Sequence, residues 1–194
     1  MSATSSARYA ASVSYLHWLM FLLVLGAYTM INLHEATPRG TGIHSATVHA
    51  HFLFGLGVLV LILPRLWVRT RNATPPIEPP MARWSHLFAK LTHIALYAFL
   101  LVQPILGLVT LQIKGGSVTF FGLTLIPSLV EPNRELARAI FQYHELLGTI
   151  FYWVIGLHIL AALWHHYVRR DDTLKRMLPL PRRDVRPAQP QAAD

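Results

Sequence analysis

Four histidines stand in the last apolar stretch of the chain: His144, His158, His165 and His166. Residues 146–168, 23 in all, include no Asp, Glu, Lys or Arg, which is long enough to cross a bilayer as a helix. Imidazole in hydrocarbon costs free energy unless it finds a partner. His144 and His158 are 14 residues apart, which on a helix leaves them about 40° apart in azimuth and roughly 21 Å apart along the axis. One helix face therefore presents an imidazole near each membrane surface, the geometry of two stacked ligand sites.

The chain that must position these rings is built for a membrane. Its 194 residues are 53% hydrophobic and only 13% charged, with a mean hydropathy of +0.39, against about 25% charged residues in an ordinary soluble domain. Charges are also absent from 9–34, 40–64 and 91–113. These runs predict four spans, about 15–32, 48–68, 91–112 and 142–167, and an all-α, integral membrane four-helix bundle, because a helix satisfies its own backbone in lipid. The predicted organisation is a flexible tail over 1–13, a membrane domain over 14–168 and a basic tail over 169–194. The first apolar run is too long for a cleavable signal, and no small-residue cleavage site follows it. The connection 114–139 holds an uncharged run between Gly115-Gly116 and Pro127. That run is too short to span, so it is expected at the interface or folded over the bundle.

Of the 17 Lys and Arg residues, 13 fall in the N-tail, in the segment from Arg65 to Lys90 and after Val168, and four in the other two loops. By the positive-inside rule both termini are cytoplasmic. The net charge of +8 then serves topology and lipid contact, and nucleic-acid binding is a poor reading. Spans free of Asp and Glu argue against an ion-coupled carrier. The absence of cysteine excludes disulfides, iron–sulfur clusters, thiolate–zinc sites and covalently attached c-type haem.

Depth sorts the remaining histidines. His17 opens the first span on the cytoplasmic side, the side toward which His158 lies. His49 and His51 open the second span on the outer side, where His144 opens the fourth. Imidazole pairs facing across a bundle are how b-type haem is held, so the pattern predicts two depth-matched sites and two haems.

The chain also resembles the bacterial cytochrome b561 family of small four-helix membrane cytochromes. The resemblance rests on Ser14-Tyr-Leu-His17-Trp18, His51 with Gly55, Arg65-Leu66, Thr74-Pro75-Pro76-Ile77, His93-Ile-Ala-Leu-Tyr97, Pro104-Ile-Leu-Gly107-Leu108 and Phe121-Gly-Leu-Thr124. It continues through His144-Glu145, Ile155-Gly-Leu-His158, Ala161-Ala-Leu-Trp-His165-His166-Tyr167 and Asp172-Thr-Leu-Lys-Arg-Met177. It implies two haem b groups with bis-histidine iron, the cytoplasmic-side one on His17 and His158 and the periplasmic-side one on His51 and His144. His49 is the rival to His51, about 200° round the helix. His93 is the rival for the cytoplasmic site, unless it approaches a haem propionate or sits at the interface. The resemblance further implies a bacterial inner-membrane protein that oxidises superoxide at the outer face and reduces ubiquinone. The alternative is a cytochrome subunit passing electrons between a partner dehydrogenase or hydrogenase and quinone. Outer basic residues Arg39, Lys114, Arg134 and Arg138 are matched in number by Glu35, Glu131, Glu135 and Glu145, so a count alone shows no anion funnel. His165 follows His158 by seven residues, which puts it about 20° round and roughly 10 Å further along the same face. It is the candidate for the quinone site, since quinone reduction takes protons and imidazole titrates near neutral pH. Otherwise it and His166 are interfacial residues beside Tyr167 and Arg169.

Overall fold

The structure is a computed structural model describing residues 8–74, 76–77, 82–120 and 122–179. Pro75, the segment 78–81, Phe121, residues 1–7 and the end of the basic tail, 180–194, lie outside the described residues.

Four long helices form the molecule: α1 (Ala11–Ala36), α2 (Gly42–Arg71), α3 (Arg83–Ile113) and α4 (Arg134–Trp164). All four are long and apolar enough to cross a membrane. The first three run past the predicted span at both ends and α4 at its start, ending at Trp164 where the predicted span runs to 167, because hydropathy marks the bilayer while capping marks the helix. Thr41 accepts the amide of His44 at the start of α2, and Asn133 accepts that of Leu136 at the start of α4, which satisfies one orphan donor at each end. Pro64 and Pro104 sit inside α2 and α3, where neighbouring helices in a bundle tolerate them. Helix α1 begins at Ala11, inside the stretch expected to be a flexible tail.

Helix α1 packs on α2, α3 on α4, and α2 on α3. The bundle closes through α1 and α4, where the Tyr28 hydroxyl donates to the Gly148 carbonyl at 2.8 Å and the Asn32 amide to the Tyr152 hydroxyl at 2.6 Å. The buried core is small: Met20, Val58, Ile62, Leu100 and Phe151. Large apolar residues face outward instead, among them Leu157, Leu160 and Trp153, as expected where lipid is the solvent.

The 114–133 connection does fold over the bundle. It carries a two-stranded antiparallel hairpin, β1 (Val118–Phe120) and β2 (Leu123–Ile126), whose first strand packs on α2. This hairpin is the one addition to the all-α expectation among the described residues. At the opposite end α4 continues into a π-helical turn, His165–Arg169, and a 3-10 turn, Lys175–Met177. The second turn folds back onto α1: Trp18 Nε1 donates to the Met177 carbonyl at 2.9 Å, and the amide of Tyr9 reaches Arg176.

Candidate functional site

Helix α4 brings its two inward histidines against two different partners. His158 faces His17 of α1, with ring centres 6.4 Å apart and planes at 65°. His144 faces His51 of α2, with ring centres 6.3 Å apart and planes at 84°. An imidazole nitrogen lies about 1.2 Å from its ring centre and binds a transition metal at roughly 2.0–2.1 Å, so two rings trans across one metal have centres about 6.4 Å apart. Both pairs match that separation. A Cβ placed on Gly55, one turn from His51, meets nothing within 4 Å. Two histidine pairs at this separation, the one at His51 with open space beside it, fit a flat, bis-imidazole-ligated group.

The outer pair is held by backbone. His51 Nδ1 donates to the Ala27 carbonyl of α1 at 2.9 Å, and His144 Nδ1 to the Gln103 carbonyl of α3 at 3.1 Å. A carbonyl only accepts, so each Nδ1 carries the proton and each Nε2 is left free for a metal. Gln103 also returns a bond, its side-chain amide donating to the His144 carbonyl at 2.6 Å. The ring of His144 can lie against α3 because residue 107 is glycine: a Cβ there would come within 3.0 Å of His144 Cε1.

The inner pair is held by side chains. Arg65 Nη2 donates to His17 Nδ1 at 2.9 Å, while its Nη1 donates to the Leu16 carbonyl at 3.3 Å. The guanidinium also lies 5.6 Å from the ring centre of Tyr97. Among the described residues no hydrogen bond reaches the ring of His158.

The two rivals separate on geometry. His49 is exposed and bonds its own helix through the Ser45 carbonyl, away from His144. His93 lies edge-on to His158 with ring centres 5.5 Å apart, closer than trans ligation of one metal allows, and its Nδ1 bonds the Ala89 carbonyl. His165 stands apart from both pairs and bonds Asp171. Arg65 is a partner of His17 that the sequence does not reveal, although Arg65-Leu66 is among the residues that carry the family resemblance. Gln103 was also missed, its signal being the Pro104–Gly107 motif that follows it.

At the outer end, three of the four outer cations converge. Lys114, Arg134 and Arg138, with Ala137 and Phe141, line a cavity of about 300 Å³. No acid lines it, and among the described residues none of the three cations forms an ion pair. Lys114 Nζ lies 4.5 Å from the Phe141 ring centre, and that ring stacks toward His144 at 6.4 Å. The equal count of outer acids and bases hid this clustering.

Residues 8–180 match the family model for prokaryotic cytochrome b561. The chain belongs to that family. It is 36% identical over 172 residues to cytochrome b561 homolog 1 of Escherichia coli K12, covering 89% of this chain and 97% of the relative. It is 39% identical over 164 residues to the probable superoxide oxidase CybB of Yersinia pestis, covering 84% and 92%, and 26% identical over 178 residues to cytochrome b561 homolog 2 of E. coli K12, covering 88% and 91%. This cytochrome b561 is therefore a bacterial membrane electron-transfer protein of a family that binds haem b.

Proposed function

We propose that this cytochrome b561 carries two b-type haems, one between His17 and His158 and one between His51 and His144. It would oxidise superoxide at the periplasmic face of the inner membrane and reduce ubiquinone on the cytoplasmic side, with both termini cytoplasmic. The observation that carries this reading is the pair of ring separations, 6.4 and 6.3 Å, on one helix at two depths. When bound, the haems supply one-electron redox chemistry.

The chain's own residues supply the rest. His51 and His144 present Nε2 because carbonyls hold their Nδ1 protons. Lys114, Arg134 and Arg138 draw a small anion to the outer mouth beside His144, since a cleft lined by one sign of charge raises encounter rates roughly 10- to 1000-fold at low salt. His165, at the cytoplasmic end, provides the proton-carrying group for quinone. The reaction balances as two superoxide anions losing one electron each to give dioxygen, while one quinone takes two electrons and two protons.

A pyridine haemochrome assay on purified protein is expected to give two haems per polypeptide, extractable in acid acetone; one haem, or none, ends the di-haem reading. Stopped-flow mixing with superoxide should reduce the haems, and the double variant Lys114→Glu/Arg138→Glu should slow that reduction by at least about tenfold at low ionic strength. Equal rates for wild type and variant would remove the basic mouth from the mechanism.

A further inference from the structure

Helix α4 changes character at the residue proposed for the quinone site. At His165 the α-helical ladder gives way to the π-helical turn His165–Arg169, which ends at Arg170 in the left-handed conformation, φ 55 and ψ 33. Such a conformation costs a non-glycine residue about 1–2 kcal/mol, and both π turns and left-handed residues concentrate where function holds them in place. The turn doubles the chain back so that the Asp171 amide bonds the His165 carbonyl at 3.1 Å.

The consequence is a buried acid on the imidazole. Asp171 Oδ2 lies 2.5 Å from His165 Nδ1, with the Asp171 side chain fully buried and that of His165 16% exposed. The other carboxylate oxygen accepts the Thr173 amide at 3.0 Å. A buried anion is costly unless partnered. Burial by itself raises the Asp171 carboxyl, but hydrogen bonds from His165 and Thr173 outweigh it and hold the group below its ordinary value of 3.8. Among the described residues, Arg169 Nε stands 4.0 Å from Asp171 Oδ2, and Arg176, from the 3-10 turn, pairs with Asp172 at 3.7 Å. His166 follows in the chain. Around this pair Trp164, Tyr167 and Val168 are exposed at 58%, 69% and 56%, an apolar surface through which a lipid-soluble ring can approach from the bilayer.

We propose that Asp171 is a positioning residue for quinone reduction, fixing His165 with its proton on Nδ1 so that Nε2 is the nitrogen that serves the quinone. This rests on the reading of His165 given above. An ionised carboxylate only accepts, so the Nδ1 proton stays on the Asp171 side throughout. His165 in its doubly protonated form gives the Nε2 proton to a quinone carbonyl oxygen while an electron arrives by the haem path. The O–H bond forms, the Nε2–H bond breaks, and the neutral ring regains its Nε2 proton from cytoplasmic water. Two such deliveries, with two electrons, make one quinol. Asp171 stays ionised and holds the ring in this one orientation.

The test compares wild type, Asp171→Asn, Asp171→Glu and His165→Ala, each reduced and then mixed with decylubiquinone. Asp171→Asn should keep the visible spectra of both haems while haem reoxidation by the quinone slows roughly 10- to 100-fold at pH 7.5. Asp171→Glu, which keeps the carboxylate, should recover part of the rate. An Asp171→Asn variant with wild-type rate overturns the inference. If His165→Ala also leaves the kinetics unchanged, the quinone role of His165 itself is what fails; a slow His165→Ala beside a normal Asp171→Asn removes Asp171 alone. Should Asp171→Asn not assemble, ¹⁵N NMR of histidine-labelled wild-type protein decides: the neutral His165 ring is expected with hydrogen on Nδ1, and a signal for the Nε2–H tautomer sinks the proposal.

Discussion

The outer and inner histidine pairs share a separation and differ in what holds them. His51 and His144 are fixed by main-chain carbonyls on α1 and α3, groups that cannot move without moving a helix. His17 is fixed by the charged side chain of Arg65, and among the described residues nothing bonds the ring of His158. A carbonyl acceptor fixes the tautomer and makes the ring a more basic ligand. A guanidinium only donates, so it makes His17 Nδ1 an acceptor and leaves the neutral ring's proton on Nε2; ligation through Nε2 requires that bond to be released, and the guanidinium places a positive charge beside the site. One helix thus carries a backbone-built site near the α3–α4 connection and a side-chain-built site toward its other end, and the second is the more tunable.

The largest test of this contrast removes one ring at a time. His144→Ala should eliminate, or convert to high spin, one spectral component, and His158→Ala the other, because the two rings lie roughly 21 Å apart along α4. Low-temperature visible spectra and electron paramagnetic resonance distinguish the components. Loss of the same component in both variants breaks the pairing.

Next in size is Arg65→Gln. A unit charge some 6–8 Å from a one-electron centre, at an effective dielectric constant of about 20, is worth roughly 2–3 kcal/mol, on the order of 100 mV. Removing the Arg65 guanidinium should lower the midpoint potential of the inner haem by about that amount and leave the outer one in place. A potentiometric titration in which both midpoints move together, or neither does, would show that the two sites do not differ as described.

Gln103→Leu addresses the outer site. The substitution deletes the side-chain bond to the His144 carbonyl but leaves the Gln103 carbonyl that accepts from Nδ1. The loss is about 0.5–1.5 kcal/mol for a hydrogen bond of this kind, read as faster dissociation of the outer haem alone. Equal loss from both sites would mean that Gln103 supports the bundle rather than the ring.

Much of this was legible beforehand, for physical reasons. Hydrocarbon demands about 20 uncharged residues per crossing, so the spans could be read directly, and histidines that violate that rule advertise themselves. Depth then sorts His17 with His158 and His144 with one of His49 and His51. Periodicity leaves that last choice open; the ring contacts favour His51. The helix ends were not legible, since caps such as Thr41 and Asn133 act locally beyond the hydrophobic run. Asp171 was invisible for another reason. It sits three residues past the last uncharged stretch and reaches His165 only through a π turn that no local signal announces. The clustering of Lys114, Arg134 and Arg138 was hidden because a charge count carries no positions.

The smallest effects come from two glycines near the outer pair, and they separate the ring from the space beside it. Gly107→Ala puts a Cβ 3.0 Å from His144 Cε1, so the ring must shift by a few tenths of an ångström. Gly55→Ala meets nothing within 4 Å, and alanine is better than glycine inside a helix by about 1 kcal/mol. In haem-free protein Gly55→Ala should therefore be neutral or slightly stabilising by circular dichroism melting, while Gly107→Ala loses a fraction of a kcal/mol to about 1 kcal/mol. With haem bound the order should reverse if a flat group fills the space beside Gly55: the new methyl then collides with it, and the outer component shifts or is lost while the inner one is untouched. Gly107→Ala should broaden or shift the same component without eliminating it. An unchanged outer spectrum in Gly55→Ala would place the haem away from that face of α2, and would leave His51 to be reassessed against His49.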